Sequence, residues 1–325
     1  MRYIENTVTD PAFNMAAEEW LLTETDDEVF MLWRNEPCIL IGRNQNTLSQ
    51  IDERFVRDRN IPVVRRMSGG GAVFNDLGNV NFTFIANGSA DDGLDFQRFT
   101  TPILKALRGM GVACSFEGRN DLLIDGKKFS GNAQHMHKNR ILHHGTLLFS
   151  ADMADLSGAL RVDPEKFRDK AVKSVTSRVT NIASHLPSPM SVTEFIEALM
   201  TVVSQQAANT IVSLSDEEVA AINGIADARY RTWDWNFGRS PAYDFTRTVR
   251  TSGGLLEVHL EIEKGRITSA RLFGDYFGIY AISDIEQLLE GCLHDRTALE
   301  QRLAGVSLDE YMMGVSRSAL VDALF

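Results

Sequence analysis

Apolar and polar positions along the chain mark out a strand-rich first part, a helical middle and a short mixed tail. Asp10-Pro11 predicts a helix cap with proline in the first turn, and Phe13 to Leu22 a helix with its acidic residues outward. Two apolar runs, Val29 to Trp33 and Cys38 to Ile41, hinged at Asn35-Glu36-Pro37, predict the strands of a hairpin. The second empties into Gly42-Arg43-Asn44-Gln45-Asn46, a polar loop at a strand end where binding groups often sit. A helix is expected over residues 51–60, and Pro62-Val63-Val64 is read as a strand. Val80-Asn81-Phe82-Thr83-Phe84 alternates, the pattern of a strand with one buried face. Phe96 to Met110 has helical spacing, Gly111 ends it, and Val112 to Phe116 returns as a strand. Asp125-Gly126 between apolar runs is a two-residue hairpin signal, and residues 143–149 form a further ribbon.

Short helices are expected from Asp152 onward, with the basic, hydroxyl-rich stretch Lys170 to Asn181 between them. Longer helices follow over residues 191–207 and 215–230, the first opening on the capping-box pattern Ser191-Val192-Thr193-Glu194. The aromatic, turn-rich segment Trp233 to Pro241 is read as a domain junction, which places a large domain at 1–235 and a small one at 240–325. The small one reads as three strands with a turn at Glu263-Lys264-Gly265, followed by helices. Short turns between most strands of the first part predict an α/β (α+β) fold, a largely antiparallel or mixed sheet with helices on its faces.

Composition narrows the function. A formal charge of −11 argues against a general nucleic-acid binder, whose affinity would rest on a broad basic face. No apolar run approaches a membrane span, and the start lacks the character of a signal peptide. Three widely spaced cysteines indicate neither a disulfide framework nor a thiolate metal site, so a reduced, cytoplasmic protein is expected.

The candidate chemistry centres on Arg65-Arg66-Met67-Ser68-Gly69-Gly70-Gly71-Ala72-Val73-Phe74-Asn75-Asp76-Leu77-Gly78-Asn79. Three glycines without Cβ atoms let a bulky group lie on the backbone N–H donors, and adjacent guanidiniums suit an anion. The alternative is a surface turn with two solvated arginines. Three commoner loops are excluded. A Walker loop needs Gly-Lys-Ser/Thr where Gly71 is followed by Ala72-Val73; the dinucleotide fingerprint fails at Phe74; and no Gly-x-Ser-x-Gly surrounds Ser68. Lys128 follows the predicted turn and points to the opposite face from Lys127. Two readings of it stay open, a solvated edge charge or an inward cation that needs a carboxylate or phosphate. His135, His137, His143 and His144 lie within ten positions, but no carboxylate or cysteine joins them, so no metal site is expected there.

Taken together, Arg65-Arg66-x-Ser68-Gly69-Gly70-Gly71-Ala72-Val73-Phe74, Asp76-Leu77-Gly78-Asn79, Lys128-Phe129-Ser130-Gly131-Asn132-Ala133 and His143-His144-Gly145-Thr146-Leu147-Leu148 resemble the lipoate–protein ligases of the A type. Ser177-Arg178-Val179-Thr180-Asn181 and Gly274-Asp275-Tyr276-Phe277 extend the resemblance over nearly the whole chain. It implies a catalytic domain like that of biotin–protein ligases and class II aminoacyl-tRNA synthetases, with a small α+β accessory domain. It implies ATP, with Mg²⁺ for the pyrophosphate leaving group, and lipoate as substrates, and lipoyl-AMP as intermediate. The implied acceptors are lysines of lipoyl domains of 2-oxoacid dehydrogenase E2 subunits and of the glycine cleavage H protein, and the enzyme is expected to be a monomer.

The implied roles are specific. Lys128 matches the catalytic lysine that contacts the lipoyl carbonyl and the α-phosphate, and Arg66 the arginine near the activated carboxyl. Gly71, Ala72, Val73 and Phe74 match the backbone run along the nucleotide, with Ser68 and Asn79 in the same binding set, while Gly69 and Gly70 leave room for the ligand. His144 and Thr146 match positions lining the cavity, and Arg178 and Asn181 positions that close it. Phe74, Trp33 and Leu147 are candidates for the slot that holds lipoate's apolar chain. One departure is Asn75, where many members have histidine. Asparagine hydrogen-bonds but does not titrate, and it is expected to serve equally well if that position only packs or bonds. An ATP-independent acyltransferase of the same fold is the nearest alternative. It would need a thiolate, and no cysteine lies at a motif, Cys114 being read as a buried structural thiol. A lipoate-sequestering protein is a third.

Overall fold

The computed structural model describes residues 1–88, 95–118, 120–152, 160, 179–204, 211–276 and 278–325. Chain contacts divide them into two units, one of residues 1–43 and 50–232, the other of residues 44–49 and 233–325. The short 44–49 segment, part of the polar loop after β3, therefore belongs with the tail. Its Thr47 is buried and donates its hydroxyl to the Asn236 carbonyl at 2.6 Å.

In the larger unit, β1 (Arg2–Glu5) is followed by α1 (Pro11–Thr23), with the Asp10 side chain accepting from the Ala12 N–H at 2.9 Å. Next come β2 (Val29–Trp33), β3 (Cys38–Ile41), α2 (Thr47–Gln50, all but its last residue in the other unit), α3 (Glu53–Asp58), β4 (Val63–Arg65), β5 (Val73–Asn75) and β6 (Asn79–Asn87). Then follow α4 (Phe96–Gly109), β7 (Ser115–Glu117), β8 (Asp121–Ile124), β9 (Lys127–His137), β10 (Arg140–Leu148), α5 (Val192–Ser204), β11 (Ile211–Val212) and α6 (Asp216–Ile225). Eight strands of the described residues form one mixed sheet in the order β11-β1-β2-β6-β10-β9-β8-β7, and β4-β3-β5 form a second.

The expected β2/β3 hairpin does not form. β2 pairs with β1 and β6 in the large sheet, whereas β3 pairs with β4 and β5 in the small one. Both runs are buried throughout, and a continuous apolar run states that both faces are covered without naming a partner. β6 likewise has both faces buried, because its polar Asn81 and Thr83 face other polar groups rather than water. The Asp125-Gly126 hairpin does form. Both residues take positive φ, 50° and 72°, as a type I′ turn requires.

The core lies on one face of the large sheet, under α4 and α5. Phe30, Phe82, Phe84, Leu147 and Phe149 from the sheet side meet Phe99, Ile103, Phe195 and Leu199 of the helices. Each such side chain contributes about 1.5–3 kcal/mol on burial. The opposite face carries Trp33, Asn81, Thr83, His144 and Thr146, the alternate residues of the same strands. His143 therefore points into the core. It stacks on Phe82 and Phe99 at 5.8 and 5.0 Å, and burial lowers its pKa to about 3.

A stability consequence follows. Unfolded, this imidazole takes up a proton near pH 6.5, but folded it does so only near 3. Between those values the unfolded state binds more protons, and stability falls with pH by up to about 1.4 kcal/mol per unit. Urea unfolding at pH 7 and pH 4.5 should show this loss, and His143→Phe should shrink it. An undiminished loss in that variant would show that another group is responsible.

In the smaller unit, β12 (Tyr243–Thr251), β13 (Gly254–Glu263) and β14 (Arg266–Gly274) form an antiparallel meander. The helices α7 (Ser283–Leu289), α8 (Arg296–Arg302) and α9 (Arg317–Ala323) follow it. Leu256, Val258, Leu260 and Ile262, every second residue of β13, are buried with Leu289, Leu299 and Leu320 in a core of their own. The region read as a junction is a π-helical turn at Asp234–Gly238, and it lies within this unit.

Candidate active site

A cavity of about 160 Å³ opens on the polar face of the large sheet. Lys128 reaches it from the start of β9. Its Nζ lies 2.8 Å from the Asp121 carboxyl, and both side chains are about 40% exposed. So exposed a pair adds little stability, and its effect is to aim the ammonium. The side chain lies across Gly131, where a Cβ would come within 2.9 Å of Nζ. Asp121 escaped the sequence reading. A bulge between Leu122 and Leu123 slips the register so that Asp121 pairs with Gly131, under the lysine. The turn alone would have placed it opposite Ser130.

Arg66 supplies the second cation. It is 5% exposed and makes four hydrogen bonds: Nε to Ser68 Oγ at 3.1 Å, Nη1 to the Leu40 carbonyl at 3.0 Å, and Nη2 to the carbonyls of Gly69 and Gly71 at 2.8 and 2.7 Å. The glycine loop is thus wrapped around the guanidinium. Gly70 makes this possible with φ of 94°. No carboxylate touches Arg66 among the described residues, and burial lowers its pKa to about 10, which leaves it charged at neutral pH. A buried cation bonded only to neutral groups is stabilised by an arriving anion. Arg65 differs. It is fully buried and donates to the carbonyls of Gly42 and Arg43, so it ties strand to loop.

Behind Arg66 runs a chain of buried hydrogen bonds. Ser68 Oγ is 2.6 Å from His144 Nε2, and His144 Nδ1 lies 2.9 Å from Glu18. Thr83 donates to the same carboxyl and accepts from Trp33 Nε1 at 2.9 Å. Since Arg66 donates to Ser68, the serine hydroxyl is free to donate to Nε2, which places the imidazole proton on Nδ1 facing Glu18. Glu18 therefore points inward, and Glu19 bonds the Tyr230 hydroxyl at 2.7 Å. The expectation of outward acidic residues on α1 fails because both carboxyls find buried or half-buried partners.

The other expected residues divide by the strand period. Gly70, Gly71, Ala72, Val73, His144 and Thr146 line the cavity, as does Trp33. Ser68 and Gly69 stand one layer back, bonded to Arg66. Phe74 is buried beside Ile39, and Leu147 is in the core on the far face, so neither forms the apolar slot. Asn79 is buried and donates to the Phe74 carbonyl at 3.2 Å. Asn181 exchanges two hydrogen bonds with the Ala151 backbone and does not line the cavity. Ser177, Arg178 and Phe277 lie outside the described residues, as does most of 153–178. Asn75 is fully buried. It donates to the Phe74 carbonyl and accepts from Asn35 and Asn81, a bonding role in which nothing titrates.

Residues 10–204 match the family profile described as Lipoyl protein ligase A/B catalytic domain, and residues 240–324 that of Bacterial lipoate protein ligase C-terminus. Lipoate–protein ligase 1 of Staphylococcus aureus is 38% identical over 99% of both chains. The chain belongs to the lipoate–protein ligase family. A second relative, the lipoate–protein ligase LplJ of Bacillus subtilis, is 38% identical over the full length of both. Among solved structures, an archaeal bipartite lipoate–protein ligase from Thermoplasma acidophilum, described together with its E2 lipoyl domain, matches with a TM-score of 0.66. It is 27% identical and covers 73% of this chain and 96% of its own. LipL1 of P. falciparum, in complex with lipoate, shares the fold over 99% of both chains, with a TM-score of 0.62 at 23% identity.

As a family member this chain is an enzyme with the mixed-sheet fold of the lipoate ligases. Its cysteines are placed away from the chemistry. Cys38 and Cys114 are buried, burial raises the pKa of both thiols, and Cys292 is in the smaller unit. Burial disfavours the thiolate that a covalent acyltransferase needs. No helix of the described residues is long and apolar enough to cross a membrane.

Proposed function

We propose that this protein activates lipoate with ATP and transfers the lipoyl group to a lysine of a lipoyl domain. The observation that carries this is the convergence of two cations, Lys128 and the buried, carboxylate-free Arg66, on one cavity in a chain of this family. A carboxylate attacking an α-phosphate brings two anions together, so preorganised positive charge is the main catalytic requirement. Lys128 bridges the carboxyl oxygen and the α-phosphate, aimed by Asp121. Arg66 holds the glycine loop open along the nucleotide and neutralises the anhydride as it forms. The carboxyl oxygen bonds to phosphorus while pyrophosphate leaves. The acceptor amine then attacks the acyl carbon, and AMP departs.

No group of three or more metal-ligating side chains stands among the described residues. Mg²⁺ fits this site as a companion of the nucleotide's phosphates, the usual way it binds, rather than in a protein cage. E2 lipoyl domains and the glycine cleavage H protein are the acceptors proposed. The few, widely spaced cysteines support a reducing, cytoplasmic setting, and a monomer is proposed.

Incubation with lipoate labelled with ¹⁸O in its carboxyl group, ATP and an apo lipoyl domain tests this reading. One labelled oxygen should appear in AMP for each domain modified. Modification that leaves AMP unlabelled would sink the adenylation route.

A further inference from the structure

Among the described residues, the wall of the cavity carries one residue with a fully buried polar atom that no hydrogen bond satisfies. Asn81 is 1% exposed and lines the cavity, yet its Oδ1 has no hydrogen-bond partner among the described residues. A buried acceptor without a donor is costly, and one kept at a cavity wall calls for a functional explanation.

The orientation of this amide is locked from behind. Asn81 Nδ2 donates to Asn75 Oδ1 at 2.8 Å, and Asn35 Nδ2 approaches the same oxygen at 3.4 Å. Asn75 cannot turn over, because its own Nδ2 donates to the Phe74 carbonyl at 3.1 Å. Asn35 in turn accepts from Asn14, whose Nδ2 also faces the carbonyls of Val8 and Arg34. Backbone carbonyls thus fix the direction of the whole amide ladder, and flipping Asn81 would set two oxygens against each other. With Nδ2 turned to Asn75, the carbonyl oxygen is the end of the amide that the protein does not engage.

Its place in the sheet says which part of the ligand that is. Gly131, Thr146, Asn81 and Trp33 lie side by side across β9, β10, β6 and β2, and all four line the cavity. Lys128 Nζ sits over Gly131, at the carboxyl end. Asn81 is two strands away, about 10 Å, beside the Trp33 indole. A medium-chain acid anchored by its carboxyl at Lys128 brings its tail there. We infer that Asn81 is a specificity-determining residue that selects a sulfur-bearing tail over a plain hydrocarbon one. The chemistry is direct. A dithiol offers S–H donors, and a disulfide offers the electropositive end of its S–S bond and packs against the indole face or edge. A methyl-terminated chain offers nothing, and leaves the oxygen buried and unpaired.

This inference rests on the ligase reading. The test measures acyl-AMP formation by the full-length protein with ATP, taking kcat/KM for lipoate and for octanoate in wild type, Asn81→Leu and Asn81→Ala. Wild type should favour lipoate by about tenfold or more. Both variants should lower that ratio, chiefly because octanoate improves. If room alone mattered, the larger and smaller replacements would move the ratio in opposite directions, and that result would overturn the assignment, as would an unchanged ratio. Equal use of the two acids by wild type would overturn it without any variant, should either fail to fold. Failure to form acyl-AMP from either acid would overturn the ligase reading itself, whereas activity at an unchanged ratio would remove only the role of Asn81.

Discussion

Lys128→Ala should lower acyl-AMP formation by about 10³-fold while leaving the protein folded. Both halves of that expectation come from the same geometry. The Asp121 pair is about 40% exposed on each side, so breaking it costs about 1 kcal/mol or less. The charge developing between carboxylate and α-phosphate, in contrast, loses the cation aimed at it. Lys128→Arg should rescue little, because a planar guanidinium spreads its charge over a fork and does not place it where the compact ammonium sits. Single-turnover pyrophosphate release with saturating ATP and lipoate isolates the step. Near-normal release from the alanine variant would remove Lys128 from the reaction.

Arg66→Lys should be the second most damaging change, for a different reason. The guanidinium fork satisfies Ser68, Leu40, Gly69 and Gly71 at once, which a single ammonium cannot reproduce. Positive charge is kept, but the carbonyls of the glycine loop lose their common donor. We expect about a 10²-fold loss in kcat/KM together with a destabilisation of about 2 kcal/mol. Activity lost at full stability would mean that Arg66 acts on the ligand alone; stability lost at full activity would mean that it serves only the loop. Either outcome would revise its assignment.

Much of this site is readable from residue types because local rules govern it. Three successive glycines after two arginines announce a loop that something lies against. Asp125-Gly126 announces its own turn, since few other pairs accept two positive φ angles in succession. Lys128 then follows at a known position after the turn, and the period of two separates it from Lys127.

Other features depend on partners far along the chain. Val29–Trp33 and Cys38–Ile41 read as neighbours, yet each is buried on both faces in a different sheet, and nothing in an apolar run names its partner. The same limit misplaced Phe74 and Leu147, which are apolar but face away from the cavity. Glu18 looks like a solvated helix residue until β10 brings His144 to within 2.9 Å of it.

Residue identity and turn chemistry act over a few positions, so the chain alone pointed to the glycine loop, the hairpin that presents Lys128 and the family resemblance, while it left open whether Lys128 faces inward. The fold supplied what those residues meet. A one-residue bulge sets Asp121 beneath Lys128, and β10 joins Arg66 to Glu18 through Ser68 and His144. The amide ladder ending at Asn75 fixes the orientation of the Asn81 amide. These are matters of register and long-range pairing, in which a shift of one residue exchanges the cavity face for the core.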